Sequence, residues 1–152
     1  MGVVAWVVWS LLPSDEKVIR KKLSKLAAAV SISPGDSTLV RLAKSESLRD
    51  FFSQDVDVQF EPEGREMQHI VGRADLLSGA MIARTQLQQA NIQLLDIYVK
   101  VGPDKESARG YMTLLGDLNK EKNAISQELK MNLKKIDGDW LITRVETVKT
   151  LH

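Results

Sequence analysis

The sequence contains no cysteine, which removes disulfide frameworks and thiolate nucleophiles and leaves the redox compartment open. Its two histidines are His69 and His152, too few for a metal site built from clustered imidazoles. No sign of charge dominates. Lys and Arg number 21 against 20 Asp and Glu, a net charge of +1, so no global field draws in nucleic acid. Neither a G-x-S-x-G elbow nor a Walker loop occurs, which leaves hydrolases and nucleotide binders of those kinds without a nucleophile or a cradle. Nothing calls for a metal or an organic cofactor. The 152 residues, 43% hydrophobic and 27% charged, suit a soluble globule of about one domain.

Long apolar runs are also missing. Residues 2–12 (GVVAWVVWSLL) carry no charge and stop at Pro13, whereas a spanning helix needs roughly 17–25 apolar residues. The stretch has neither the flanks of a signal peptide nor the Ser or Thr of a myristoylation signal, since Trp6 stands in its place. Two readings stay open: a short apolar segment that packs on the domain or its twin, or the trailing part of a membrane anchor. Trp6 and Trp9 suit a membrane interface. Lys17, Arg20, Lys21, Lys22 and Lys25, opposed by Asp15 and Glu16, suit either an anionic bilayer surface or the solvated face of a helix. The division is thus an apolar lead, 1–13, and a single domain, 14–152, either membrane-associated or cytoplasmic, with association at a bacterial-type membrane favoured.

From Ser14 the pattern is helical. Ser14 is an N-cap, Asp15 and Glu16 fill the first turn, and Ile19, Leu23, Leu26 and Val30 form one stripe. Ser33-Pro34-Gly35 ends this helix, Asp36 is expected to cap the next, and Leu39, Leu42 and Ala43 are expected to line it, before Leu48, Phe51 and Phe52. Val56, Val58 and Phe60 alternate with polar residues as a half-buried strand. Pro62-Glu63-Gly64 turns it, and Met67–Val71 runs back. Gly72 opens a long helix with Leu76, Leu77, Ala80, Met81 and Arg84 on one side. Antiparallel strands follow over Ile92–Val101, Ala108–Leu115, Ile125–Ile136 and Trp140–Val148, with Gly116–Asn123 as a polar connection and Asp137-Gly138 as a strong hairpin signal.

Three local patterns carry a resemblance: Phe51-Phe52-x-x-Asp55-Val56-Asp57-Val58, Gly72-Arg73-x-x-Leu76-Leu77, and Asp137-Gly138-Asp139-Trp140-Leu141-Ile142. In this order and spacing the chain resembles the nuclear transport factor 2-like (ketosteroid-isomerase-like, SnoaL-like) superfamily. The resemblance implies an α+β fold in which N-terminal helices pack in a strongly curved mixed or antiparallel sheet, forming a cone with a pocket. Similar proteins include isomerases, hydrolases, dehydratases, transport adaptors, dimerisation modules and inner-membrane secretion subunits, so fold does not settle function. Ketosteroid-isomerase chemistry needs a carboxylate base and an oxyanion hole made of a Tyr and a protonated Asp. Glu61-Pro62 matches the place of the base, but residues 14–30 contain no Tyr, and the acid partner falls at Met131 or Asn132.

The remaining chemistry is sparse. Histidine is a residue type suited to acid–base work at neutral pH, and His69 is a weak candidate base beside Glu61. A water-activating network would draw on Asp96, Arg109 and Arg144, for which surface ion pairing is the simpler expectation. Tyr98, Tyr111, Met112, Met131 and Trp140 are expected around a ligand-binding pocket. Leu95, Ile97, Val99 and Val101 alternate against Ile92, Leu94 and Tyr98, predicting a strand apolar on both faces and a homodimer through the sheet. These features point to a non-catalytic ligand-binding or assembly domain, with a small apolar ligand and a membrane surface as further partners. A lyase, isomerase or hydrolase acting in the cone and an inner-membrane secretion subunit are the alternatives. The enzyme would need an open pocket, not one plugged by Met81, Met112, Met131 and Trp140.

Overall fold

The computed structural model describes residues 14–61, 66–119 and 121–148. The apolar lead, Trp6, Trp9 and the Pro62–Gly64 turn lie outside them. Ser14 Oγ accepts from the Lys17 N–H at 3.3 Å and starts helix α1, Asp15–Val30, which buries Ile19, Leu23 and Leu26. Helix α2, Thr38–Ser47, leads through a 3₁₀ turn at Leu48–Asp50 into strand β1, Phe52–Phe60. Strand β2, Gln68–Val71, precedes helix α3, Arg73–Gln86, which begins at Gly72 with φ +95°.

The last four strands are β3 (Ala90–Val101), β4 (Ser107–Leu118), β5 (Glu121–Ile136) and β6 (Asp139–Thr147). The polar stretch expected over Gly116–Asn123 is mostly strand: β4 and β5 pair out to Leu118 and Glu121. Ladder hydrogen bonds satisfy the backbone whatever the side chains, so polarity there marks an exposed sheet end and not a loop. One six-stranded sheet runs in the order β2-β1-β6-β5-β4-β3, antiparallel throughout except for the parallel pair β1–β6. Helices and sheet enclose a core that includes Ile19, Leu23, Val56, Leu133, Trp140 and Ile142.

Two local expectations are corrected. Ser37, not Asp36, caps α2, its Oγ accepting from the Val40 N–H at 3.2 Å. Asp36 turns back to accept from the Ser33 N–H and from Lys44 Nζ, at 3.1 and 2.9 Å. The Lys44 hydrogen bond, helped by that of Ser33, holds the Asp36 carboxyl below the usual carboxylate range. The expected inner face of α2 points outward, with Leu39 77% exposed. The helix is fastened by polar contacts instead: Arg41 Nη1 donates to the Arg84 carbonyl at 3.2 Å, and Lys44 is paired with Asp36.

A bulge in β3 decides what the sheet shows on each side. Leu95 pairs with Thr113 and Tyr98 with Tyr111, so β3 spends one residue more than β4 between those rungs. Asp96, at φ +52°, sits in the bulge. The bulge reverses the alternation. Ile92 and Leu94 line the interior, and Ile97, Val99 and Val101 pack on the core on the same side. The predicted strand with two apolar faces is therefore replaced by one with a single inward face.

Asp137 and Gly138 both have positive φ, at 51° and 84°, the geometry of a type I′ turn. Space is not the constraint, since a Cβ at Gly138 would meet nothing within 4 Å. Gly138→Ala is expected to cost about 1–2 kcal/mol from left-handed strain alone, read as a lower urea midpoint with an unchanged m value.

Candidate functional site

Between the helices and the concave side of the sheet lies a cavity of about 370 Å³. Helix α1 presents Leu26, Ala27 and Val30 to it, and α3 presents Leu76, Ala80, Ala83 and Arg84. The spacing along α3 is one helical stripe, with Leu76, Ala80 and Arg84 one turn apart. The sheet closes the cavity with inward residues, among them Phe52, Val58, Leu94, Leu114, Leu129 and Met131. Among the described residues, every one in the lining is apolar except Arg84.

Arg84 is 5% exposed. One guanidinium nitrogen, Nη2, donates to the carbonyl of Ala29 in the last turn of α1. That contact satisfies a carbonyl at a helix C-terminus, where cations are favoured. The other terminal nitrogen, Nη1, is buried without a hydrogen-bond partner among the described residues. Burial pushes the guanidinium's pKa down, with Asp36 opposing and Arg41 adding to the fall. Asp36 is itself engaged by Lys44 at 2.9 Å. Three cations, Arg41, Lys44 and Arg84, thus surround one carboxylate.

The residues expected from sequence are scattered. Met131 lines the cavity. Met112 and Trp140 are buried in the core, and Trp140 Nε1 donates to Asp15 Oδ1 at 3.2 Å. Tyr98 and Tyr111 do not line the cavity. They form a cross-strand pair, 58% and 41% exposed with ring centroids 6.5 Å apart, on the outer face to which the bulge at Asp96 turns β3. Met81 is exposed and plugs nothing.

Glu61 follows β1 and its backbone N–H donates to Thr147 Oγ1 at 3.1 Å; Phe60, not Glu61, reaches the cavity. His69 Nε2 lies 2.9 Å from Asp57 Oδ1, a diagonal contact between β2 and β1 since the rung partner of His69 is Gln59, with both side chains substantially exposed and neither in the cavity lining. Arg144 pairs with Glu146 at 3.4 Å, and Arg109 lines an outer-face groove with Lys100 and Lys134, apart from Asp96 in its bulge. Among the described residues no His, Asp and Glu cluster is arranged to hold a metal ion.

A second cleft, about 620 Å³, runs along α1 and is lined by Lys17, Lys21, Lys22 and Lys25 together with Ser47, Asp50 and Phe51. Lys22 Nζ stands 6.0 Å from the centre of the Phe51 ring, within reach of a cation–π contact. Burial lowers its pKa, against the attraction of Asp139 and Asp50. No helix among the described residues is long and apolar enough to cross a membrane.

Sequence reasoning placed Arg84 on the apolar side of its helix and drew nothing from it. The signal was a lone cation in an apolar stripe, which must either reach water or be held inside.

No family model and no curated protein matches the chain. Solved structures do. A protein from Novosphingobium aromaticivorans DSM 12444, provisionally described as a scytalone dehydratase, superposes with a TM-score of 0.68 at 15% identity, covering 90% of this chain and 85% of that one. Another from the same genus and species, provisionally described as an aromatic ring hydroxylase, gives 0.68 at 16% identity over 91% and 90% of the two chains. A nuclear transport factor 2-like protein with a cystatin-like fold, also from Novosphingobium aromaticivorans, gives 0.62 at 14% identity over 84% and 79%. The chain has the nuclear transport factor 2-like, cystatin-like fold expected from its sequence patterns. Proteins described as dehydratase and hydroxylase share that fold, so function must be argued from the cavity.

Proposed function

We propose that the protein binds a small apolar ligand in the 370 Å³ cavity and carries out no turnover there. One observation carries the reading: among the described residues, every one that lines the cavity except Arg84 is apolar. General acid–base work needs a titrating group within hydrogen-bond reach of the substrate, and a guanidinium does not surrender its proton. The groups a catalytic reading would use, Glu61, His69, Tyr98 and Tyr111, are not in the lining. At about 30 Å³ per water-sized group the volume accommodates roughly a dozen of them, enough for a chain of about ten carbons. Titration of the full chain with 1-decanol by calorimetry is expected to show saturable binding of one molecule per chain. Absence of saturable binding, together with a native mass spectrum showing no retained small molecule, would overturn the reading.

The same spectrum addresses assembly. A homodimer through the outer face of the sheet is supported by exposed Leu95, Tyr98 and Tyr111, apolar surface on adjacent strands. Tethering at an anionic membrane is supported by the four lysines of α1, each contributing roughly 1 kcal/mol near such a surface, on the helix that follows the apolar lead in sequence.

A further inference from the structure

The outer face of β3, β4 and β5 has two unlike ends. At one, Lys100 and Arg109 stand directly opposite each other on one rung, and Lys134 pairs with Ser107, two residues before Arg109. All three are exposed and line the outer-face groove, about 460 Å³ in volume. Like charges opposed across a rung destabilise a sheet, and none of the three has an ion pair among the described residues. Asp104 in the adjoining turn does not relieve them, because its carboxylate accepts from the backbone N–H groups of Glu106 and Ser107 and from the Ser107 hydroxyl. At the other end, Thr113 pairs with Glu128, which is exposed beside buried Leu129. Glu128 too has no ion pair among the described residues. Between the ends lie exposed apolar residues: Tyr98 and Tyr111 on one rung, Leu95 beside Thr113 on the next. Lys130, which completes the tyrosine rung, is paired with Glu146 at 3.7 Å.

We infer that the partner on this face is a second copy of the chain laid end for end, its two-fold axis crossing the strands at the tyrosine rung, so that the partner subunit's Glu128 lies over the rung of Arg109. The inference rests on the homodimer proposed above and adds the orientation of its two chains. When two copies of one face meet, the two-fold axis lies in the plane between them and every contact occurs twice. Aligned packing, with the sheets within about 30° of each other, then leaves two choices. An axis along the strands sets the three cations of one chain against those of the other. An axis across the strands reverses the partner and sets each cationic end over the other chain's acidic end. Tyr98 and Tyr111 then meet their own copies, an aromatic centre within a charged rim. The area suffices. Three strands of twelve residues or more, about 3.4 Å per residue and about 4.8 Å apart, give a footprint on the order of 600 Å² before side-chain relief, comparable with the ~800 Å² per partner of a standard interface.

Sedimentation equilibrium of the full chain measures the dimer constant at about 0.01 M and about 1 M NaCl, where charges are felt over about 30 Å and about 3 Å. The unaltered chain is expected to dimerise, and to do so about tenfold more weakly at high salt. Arg109→Glu and Glu128→Arg are each expected to weaken the low-salt dimer by at least about tenfold, and the two together to restore it. An axis along the strands predicts the opposite sign, since Arg109→Glu would then relieve cation against cation and tighten the dimer. That result overturns the inference. So does a dimer indifferent to salt and to either single change, or one that the double change fails to restore; in each case the homodimer stands. A chain that stays monomeric at low salt overturns both. The substituted side chains are exposed, and circular dichroism checks that each variant folds. Should Arg109→Glu fail to fold, Lys100→Glu on the same rung takes its place with the same expected signs.

Discussion

Replacing Trp140 with alanine is expected to lower the free energy of unfolding by about 3–5 kcal/mol, the range for a large aromatic removed from a core. In a chain of this size that corresponds to a melting temperature lower by about 6–20 °C. The expectation follows from where the residue is held. Trp140 is 2% exposed and packs in the main core with Ile19, Leu133 and Ile142. Its indole N–H donates to Asp15 Oδ1 at the first residue of α1, and Lys135 Nζ approaches the same oxygen at 3.7 Å. One side chain thus ties the last hairpin to the first helix, across nearly the whole chain. Trp140→Phe separates the two contributions: it keeps a ring in the core and loses the donor, for about 1 kcal/mol from the hydrogen bond. Urea denaturation followed by far-ultraviolet circular dichroism reads both variants. A loss below about 1 kcal/mol in Trp140→Ala would be far under the expected cost of emptying a core site and would mean that the hairpin is not docked on α1.

That hairpin also shows which parts of the fold were legible in the sequence. Asp137-Gly138 and the strict alternation of Leu129, Met131 and Leu133 identify β5, the turn and β6, because turn chemistry and period two act locally. The stripe of Ile19, Leu23 and Leu26 gave α1 for the same reason. The failures are non-local. Nothing in the string Leu95-Asp96-Ile97 announces a bulge, since an Asp in the left-handed region is one option among several until β4 fixes the register. One extra residue was enough to move Tyr98 from an imagined pocket to the outer surface, where it meets Tyr111, which faces outward by the alternation of β4 itself against buried Gly110 and Met112. Arg20 shows what the bulge leaves free: its Nη1 donates to the Ile97 carbonyl at 2.6 Å, a bond from α1 that no pattern along the chain could have paired. In α2 the error ran the other way. Leu39 and Leu42 carried the helical period, but the helix is oriented by Arg41 and Lys44, whose partners lie on α3 and in the preceding loop.

The cavity has the same origin. Its walls come from α1, α3 and five of the six strands, so sequence could supply a stripe such as Leu76, Ala80 and Arg84 but not the space in front of it. That space can be tested directly by filling it. Ala80→Trp is expected to weaken 1-decanol binding by about a hundredfold, or ~2.7 kcal/mol, while leaving the protein folded. Ala80 lines the cavity one helical turn before Arg84, so an indole there projects among the same apolar walls the ligand would touch. Overpacking a filled core costs about 1–3 kcal/mol. Here the added ring enters unoccupied volume and gains about 25 cal/mol for each Å² of apolar surface it covers, so the melting temperature should hold or rise. Met81→Trp is the control, because Met81 is the next residue on the helix yet is exposed and outside the lining. It should bind 1-decanol as the unaltered chain does. Equal binding by Ala80→Trp and Met81→Trp would move the ligand out of the cavity, with the exposed Tyr98–Tyr111 face as the next surface to probe. A stable Ala80→Trp that no longer binds would locate the ligand between α3 and the sheet.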